Sequence, residues 1–306
     1  MKPSAKRALS ILLFLSVLAF VVSYGLQTVR RYGSHIWSFG PDAMLPALLA
    51  VTAGYLNRFL MWRRSALRFG LRAGPAESSG IYFVSTLGKY VPGKVGLLVL
   101  RARLAGRGQK GVSLAPTAVE YGASFAAAGT LALAGAALAS NPDVITMAGL
   151  SAGVLAMLGL IHPAALRTAV GVYERVSGRD VDLDIPPYRV MLSVYLGMLL
   201  TGLCNGLALY ILLSSVSDSL TLADLVPVAG AYYLAAIGGL AAVFAPGGIG
   251  VREGLLFVLL PAVVSQGAAV SGASMMRVIT LAAELLLAGA GWMAWRLASS
   301  RRDCSD

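Results

Sequence analysis

Two stretches of an otherwise apolar chain hold residues that could do chemistry together. The first, LGKYVPGKVGLLVLR at positions 87–101, contains Lys89, Tyr90, Pro92, Gly93, Lys94 and Arg101. The second, FAPGGIGVREGLLFVLL at positions 244–260, contains Pro246, Gly247, Gly248, Gly250, Arg252 and Glu253. Both carry the pattern Pro-Gly-x-aliphatic-Gly, followed by an apolar run and flanked by charge. Proline has no amide donor and glycine tolerates unusual backbone angles, so each helix is expected to be unwound there. A helix that restarts after such a break presents unpaired amides and the positive end of its dipole, which favours an anion. Lys89, Lys94, Arg101 and Arg252 add positive charge, and phosphate is the anion a membrane supplies. Glu253 has several roles open to it: capping its helix, neutralising Arg252, pairing across a cavity with Lys94 or Arg277, or meeting a cationic headgroup.

Other ionisable groups interrupt apolar segments: Glu120, Arg277 and Glu284, with Asn57 and Arg58 near a segment end. A charge at the centre of a helix in lipid costs about 2.5–3.5 kcal/mol on the insertion scale, so each needs a partner or a polar cavity. Arg58 and Arg277 can either pair or snorkel to a surface, which the shorter glutamates cannot easily do. Asn205, between Gly202 and Gly206, reads as a helix-packing residue. His35 and His162 are far apart and read as interfacial side chains. Cys204 and Cys304 form neither a disulfide framework nor a metal cluster. No metal and no cofactor is expected.

The elements that must position these groups are read from composition. Of 306 residues, 57% are hydrophobic and only 13% are charged. Uncharged stretches long enough to cross a bilayer recur along the whole length, about 20 residues being needed for each crossing. The expected fold is all-α, a single polytopic membrane domain over residues 1–306, with the 35 glycines serving close helix packing. Apolar segments lie at about 8–26, 44–62, 114–138, 144–162, 190–214, 223–244, 251–266 and 274–297. The first resembles a signal peptide but lacks a cleavage site, so it is read as an uncleaved helix.

The net charge of +11 comes from basic residues crowded at segment ends, which points to the positive-inside rule and anionic lipid rather than to nucleic acid. Basic clusters place the N-terminus, the loops at 63–72 and 101–110 and the C-terminal tail in the cytoplasm. Acid-only loops at 141–143 and 214–224 suit the outside. The stretch 81–100 has basic residues on both sides and is therefore expected to be re-entrant, two half-helices joined at Val91-Pro92-Gly93. About eight crossings remain, with both termini cytoplasmic. The long loop 163–189 spaces Leu166, Val170, Tyr173 and Val176 for a helix lying on the membrane surface.

The motifs LGKYVPGKVG with Arg101, Glu120, and PGGIGVREG at 246–254 together resemble the transmembrane domain of lysylphosphatidylglycerol synthases, a family with archaeal AglD-like and hopanoid-associated bacterial relatives. The resemblance covers nearly the whole chain. Members often have Glu-Arg where this sequence has Glu120-Tyr121. In the multiple peptide resistance factors this domain flips aminoacylated phosphatidylglycerol, and a separate soluble domain performs lysyl transfer. Since the chain ends at Asp306, that domain is expected to be absent.

The resemblance implies a lipid translocator and not an enzyme, working in a bacterial or archaeal cytoplasmic membrane. Its cavity would be lined by both broken motifs and would hold an anionic lipid headgroup. The lipid could be an aminoacyl-phosphatidylglycerol, another phospholipid, a polyprenyl phosphate or a hopanoid-related lipid. No P-loop motif is present, so transport would be passive or ion-coupled, with Glu120, Glu253 or Glu284 as proton carriers. Two alternatives stay open: an enzyme acting on a lipid phosphate, and a non-catalytic partner of a separate lipid-modifying enzyme or glycosyltransferase.

Overall fold

The computed structural model describes residues 39–90, 95–106, 109–138, 143–178, 183–242 and 245–303. The first apolar segment, Pro92, Gly93, Lys94 and Cys304 lie outside them. Every regular element among the described residues is helical. In chain order these are α1 (Pro41–Arg68), α2 (Pro75–Ser79), α3 (Val95–Leu104), α4 (Lys110–Ala137), α5 (Val144–Leu160), α6 (Pro163–Ser177), α7 (Tyr188–Ser214), α8 (Leu225–Ala241), α9 (Val251–Leu259) and α10 (Gln266–Asp303).

The long helices wear their leucines on the outside. On α1, Leu45, Leu49, Leu56 and Leu60 are exposed, while Ala43, Ala47, Val51 and Gly54 on the opposite face are buried. On α7, Leu192, Leu196, Leu200, Leu203 and Leu207 form a second outward stripe. Apolar area on this scale facing water would drive association; facing lipid it is neutral. Four helical stretches among the described residues are long and apolar enough to cross a membrane: α1, α7, Leu222–Ala241 and Gln266–Ala298. A fifth results if α5 and α6, bent by 62° at their junction, count as one span. The protein is an all-α polytopic membrane protein.

At the centre α4 packs against α5, α7 and α8, and α1 packs along α7. Contacts of α1 with α7 are close: a Cβ on Gly54 would lie 3.3 Å from both Asn205 and Cys204. Asn57 donates to the Gly197 carbonyl at 2.7 Å, and Asn205 donates back to Thr201 in its own helix, consistent with its reading as a packing residue. The loop 163–189 does contain a helix, α6, which His162 caps by accepting from the Ala164 amide at 3.2 Å. Its residues Val172, Tyr173 and Val176 are exposed. Asp143 caps α5 in the same way, and its hydrogen bonds with Thr146 hold its carboxyl below the usual range.

Two short antiparallel hairpins are packed among these long helices. In the first, residues 75–90 and 95–104 run back against each other: Arg101 Nε donates to Ser85 Oγ at 2.9 Å, and a Cβ on Gly88 would fall 2.6 Å from the backbone of Gly96 and Leu97. The outward arm is not a regular α-helix. It passes through a π-helical turn, Gly80–Val84, and a 3₁₀ turn, Leu87–Tyr90. In the second, α9 folds back on α8, with Gly238 facing Leu255 and Gly239 facing Gly248 and Arg252. The stretch 251–266, read from sequence as a crossing, is helical only over Val251–Leu259 before a 3₁₀ turn, Leu260–Ala262. Nine residues of helix extend about 14 Å, half the hydrocarbon thickness of about 30 Å. Pro261 and the 3₁₀ turn interrupt the apolar run that composition alone reads as continuous.

Gly88 meets backbone, which cannot swing aside as a side chain can. Gly88→Ala is therefore expected to lower stability by about 1–3 kcal/mol, the usual range for overpacking, when thermal unfolding is followed in detergent. Gly149→Ala, which has nothing within 4 Å of its new methyl group, is expected to be neutral or slightly stabilising.

Candidate functional site

Helix α10 acts as a ruler against which both hairpins can be placed. Near its C-terminal end, Gly291 and Trp295 touch Ser79 and Gly80 at the base of the first hairpin. Toward its middle, Glu284 bonds to Lys89 and Tyr90 at that hairpin's tip. Seven residues earlier, Arg277 Nη2 donates to the Gly247 carbonyl at the tip of the second hairpin, at 3.3 Å. Nearer its N-terminal end, Gly272 lies against Leu213 in the last turn of α7. The hairpins thus reach in from opposite ends of the long helices and meet tip to tip. The contact is between the Tyr90 ring and Gly247, where a Cβ would come within 2.6 Å of the ring. Gly247, Gly248 and Gly250 have φ of 61°, 72° and 80°. These left-handed angles are costly for other residues and let the backbone turn at this tip.

The buried acids are each surrounded by donors. Glu120, 2% exposed on α4, accepts from Arg58 Nε and, at 2.8 Å, from the Tyr82 hydroxyl. Arg101 Nη1 approaches its other oxygen at 3.4 Å. Tyr82 is set by aromatic packing, its ring centroid 5.2 Å from that of Trp62 and 5.6 Å from that of Phe59. Arg101 is 1% exposed, bonded to Ser85 and Thr117, and stacked 4.4 Å from the Tyr82 ring centroid. It fastens the base of the first hairpin to α4. Glu284, on α10, accepts from Lys89, from the Tyr55 hydroxyl and, at 2.8 Å, from the Tyr90 hydroxyl. Glu253 combines two of its expected roles. One oxygen accepts from the Gly250 amide at 2.7 Å, capping α9, and the other lies 3.5 Å from Arg277 Nε. Arg58 and Arg277, for which snorkelling was the alternative, both point inward to carboxylates.

A cavity of about 610 Å³ opens beside the tips. Arg58, Lys89 and Arg252 contribute its charge, Tyr121 and Tyr232 stand next to them, and leucine, alanine and isoleucine side chains supply much of the remaining wall. Arg252 lies over Tyr232, 4.3 Å from the ring centroid, and Arg58 lies over Tyr121 at 5.4 Å. Glu120, Glu253 and Glu284 stand behind this lining rather than in it. Of the residues singled out in the sequence, the structure gathers Lys89, Tyr90, Gly247, Gly248, Arg252, Glu253, Arg277 and Glu284 around the tips, with Glu120 and Arg101 set back toward the base of the first hairpin. Gly250 is exposed beyond the second tip, and only the backbone of Pro246 is described. Tyr55, Tyr82, Tyr121 and Tyr232 were missed as donors and ring partners. Tyr55 and Arg58 lie three residues apart on one face of an apolar helix, a spacing that signals shared contacts.

Breaking a buried ion pair by removing one partner typically costs about 3–5 kcal/mol because the other charge is left uncompensated. Glu284→Gln is expected to lose stability on that scale in detergent thermal unfolding. Adding Lys89→Met to Glu284→Gln is expected to restore part of the loss, as a double-mutant cycle measures.

The site draws its residues from Tyr55 to Glu284, and the match to known proteins is likewise extended. No curated protein matches it. The family described as the lysylphosphatidylglycerol synthase TM region matches residues 7–288, and the chain belongs to that family.

Proposed function

We propose that this protein is a lipid translocator, which carries a phospholipid or other lipid phosphate between leaflets of a bacterial or archaeal cytoplasmic membrane. One observation carries the reading: two helical hairpins approach from opposite ends of the bundle and meet beside a cavity that is cationic at the tips and apolar along its wall. A headgroup fits the first part and acyl chains fit the second. Interrupted helices that meet in this manner are the usual binding device of secondary transporters, since free backbone groups are tolerated at membrane depth only beside protein or a water-filled cavity. The first hairpin is re-entrant from the cytoplasm in this reading and the second from outside. The basic loops flanking the first and the acidic 214–224 loop preceding the second support that orientation. α6 lies along the cytoplasmic surface.

The translocator reading is favoured over a membrane-embedded enzyme by the state of the acids. Glu120, Glu253 and Glu284 are each engaged by a cation and stand behind the cavity lining, so none of them faces a lipid held there.

Purified protein in liposomes containing fluorescent phospholipids is expected to speed their exchange between leaflets without converting them. Conversion to a new lipid would instead establish an enzyme, and neither result would leave a supporting role for a partner. Glu253→Gln removes the carboxylate that joins α9 to Arg277. It is expected to slow exchange by about tenfold, a change of about 1.4 kcal/mol in barrier, with a smaller effect on expression. For orientation, cysteines placed at Ala76 and Arg103 are expected to label from one side of the membrane only, and a cysteine at Leu222 from the other.

A further inference from the structure

The charges around the tips do not balance, and the imbalance has a definite location. Glu284 is matched by Lys89, and Glu253 by Arg277. Glu120 alone faces both Arg58 and Arg101. Arg252 has no carboxylate partner among the described residues, and its Nη2 is buried without a hydrogen-bond acceptor. Among the described residues five cations therefore meet three carboxylates, an excess of two positive charges. One of the two resides on the Arg58–Arg101 pair and the other on Arg252. Arg58, which shares its carboxylate with Arg101, and Arg252, which has none among the described residues, both line the cavity and meet whatever enters. In a poorly solvated site an uncompensated cation is costly, and a ligand that neutralises it gains what the empty site lacks.

We propose that the cavity selects lipids whose phosphate group carries two negative charges, a phosphate monoester or a diphosphate, and disfavours headgroups that bear a positive charge. The inference rests on the translocator reading above and narrows its substrate. A phosphate monoester carries about −1.5 to −2 charge at pH 7, enough to satisfy Arg58 and Arg252 together. A phosphodiester such as phosphatidylglycerol carries one charge and satisfies one of them. A lysylated headgroup brings two ammonium groups with its single phosphate charge and increases the excess.

The test is a panel of lipids of matched acyl chains in proteoliposomes, each followed for movement between leaflets: phosphatidic acid, phosphatidylglycerol, phosphatidylcholine and lysyl-phosphatidylglycerol. Phosphatidic acid is expected to move at least about tenfold faster than phosphatidylglycerol, a preference of about 1.4 kcal/mol, and the lysylated lipid more slowly than either. Arg252→Gln, which leaves an excess of one charge, is expected to shrink the phosphatidic acid to phosphatidylglycerol ratio, and Arg252→Lys to keep it. Inorganic phosphate in moderate excess is expected not to displace phosphatidic acid. Displacement at comparable concentration would identify a site for the free anion and overturn a lipid substrate. Fastest movement of the lysylated lipid, or a ratio indifferent to Arg252→Gln, would overturn the selectivity while leaving translocation intact. Movement of none of the four lipids would overturn both.

Discussion

The structure turns on the need to compensate carboxylates buried in a bundle that itself sits in lipid. Glu120 and Glu284 are 2% and 5% exposed. Neither can reach a surface, and each would be a severe liability if left alone. Their partners come from distant parts of the chain. Arg58 and Tyr55 come from α1, and Tyr82, Lys89, Tyr90 and Arg101 come from the first hairpin. A short, interrupted segment that buries Ile81, Phe83 and Leu87 is therefore held by charge as well. Its base is fixed through Glu120 and its tip through Glu284.

The second hairpin is held differently. Its two arms close through glycine, with Gly239 against Gly248, Leu256 and Leu260 are buried in the core, and its tip is tied to α10 by the Arg277 contacts to Gly247 and Glu253. The first hairpin has four polar donors on two carboxylates, while the second has one arginine. The polar contacts at its tip are long, 3.3 and 3.5 Å, which makes that tip the easier of the two to displace. Arg252, without a carboxylate partner among the described residues, belongs to this second hairpin, so neutralising it with a ligand acts close to that tip.

Much of this was legible in the sequence, for identifiable reasons. Apolar length revealed the membrane class, and the second Pro-Gly pattern marked a hairpin tip, because Gly247, Gly248 and Gly250 supply the left-handed angles of the turn. The scarcity of charge made Glu120, Arg277 and Glu284 stand out, since each must have a partner. Less legible was the form of residues 251–266. An apolar run of that length suits a crossing as well as a short helix and a turn, and only packing against α8 decides. The tyrosines were invisible for a related reason. In a membrane protein their rings are at home at many depths, and nothing in the spacing of Tyr82 or Tyr232 shows that a hydroxyl or a ring face meets a charge. The partner of Arg58 was hidden because snorkelling and inward pairing require the same residue at the same place.

The donors Tyr55 and Arg58 lie a single turn apart on α1 yet serve different acids, Tyr55 serving Glu284 and Arg58 serving Glu120. A helix turn is stiff, so the two bonds share one mechanical degree of freedom. If α1 slides or rotates to follow a change at one carboxylate, the geometry at the other must alter with it. Although no bond joins Glu120 to Glu284, the pitch of a single helix fixes the spacing between the groups that hold them.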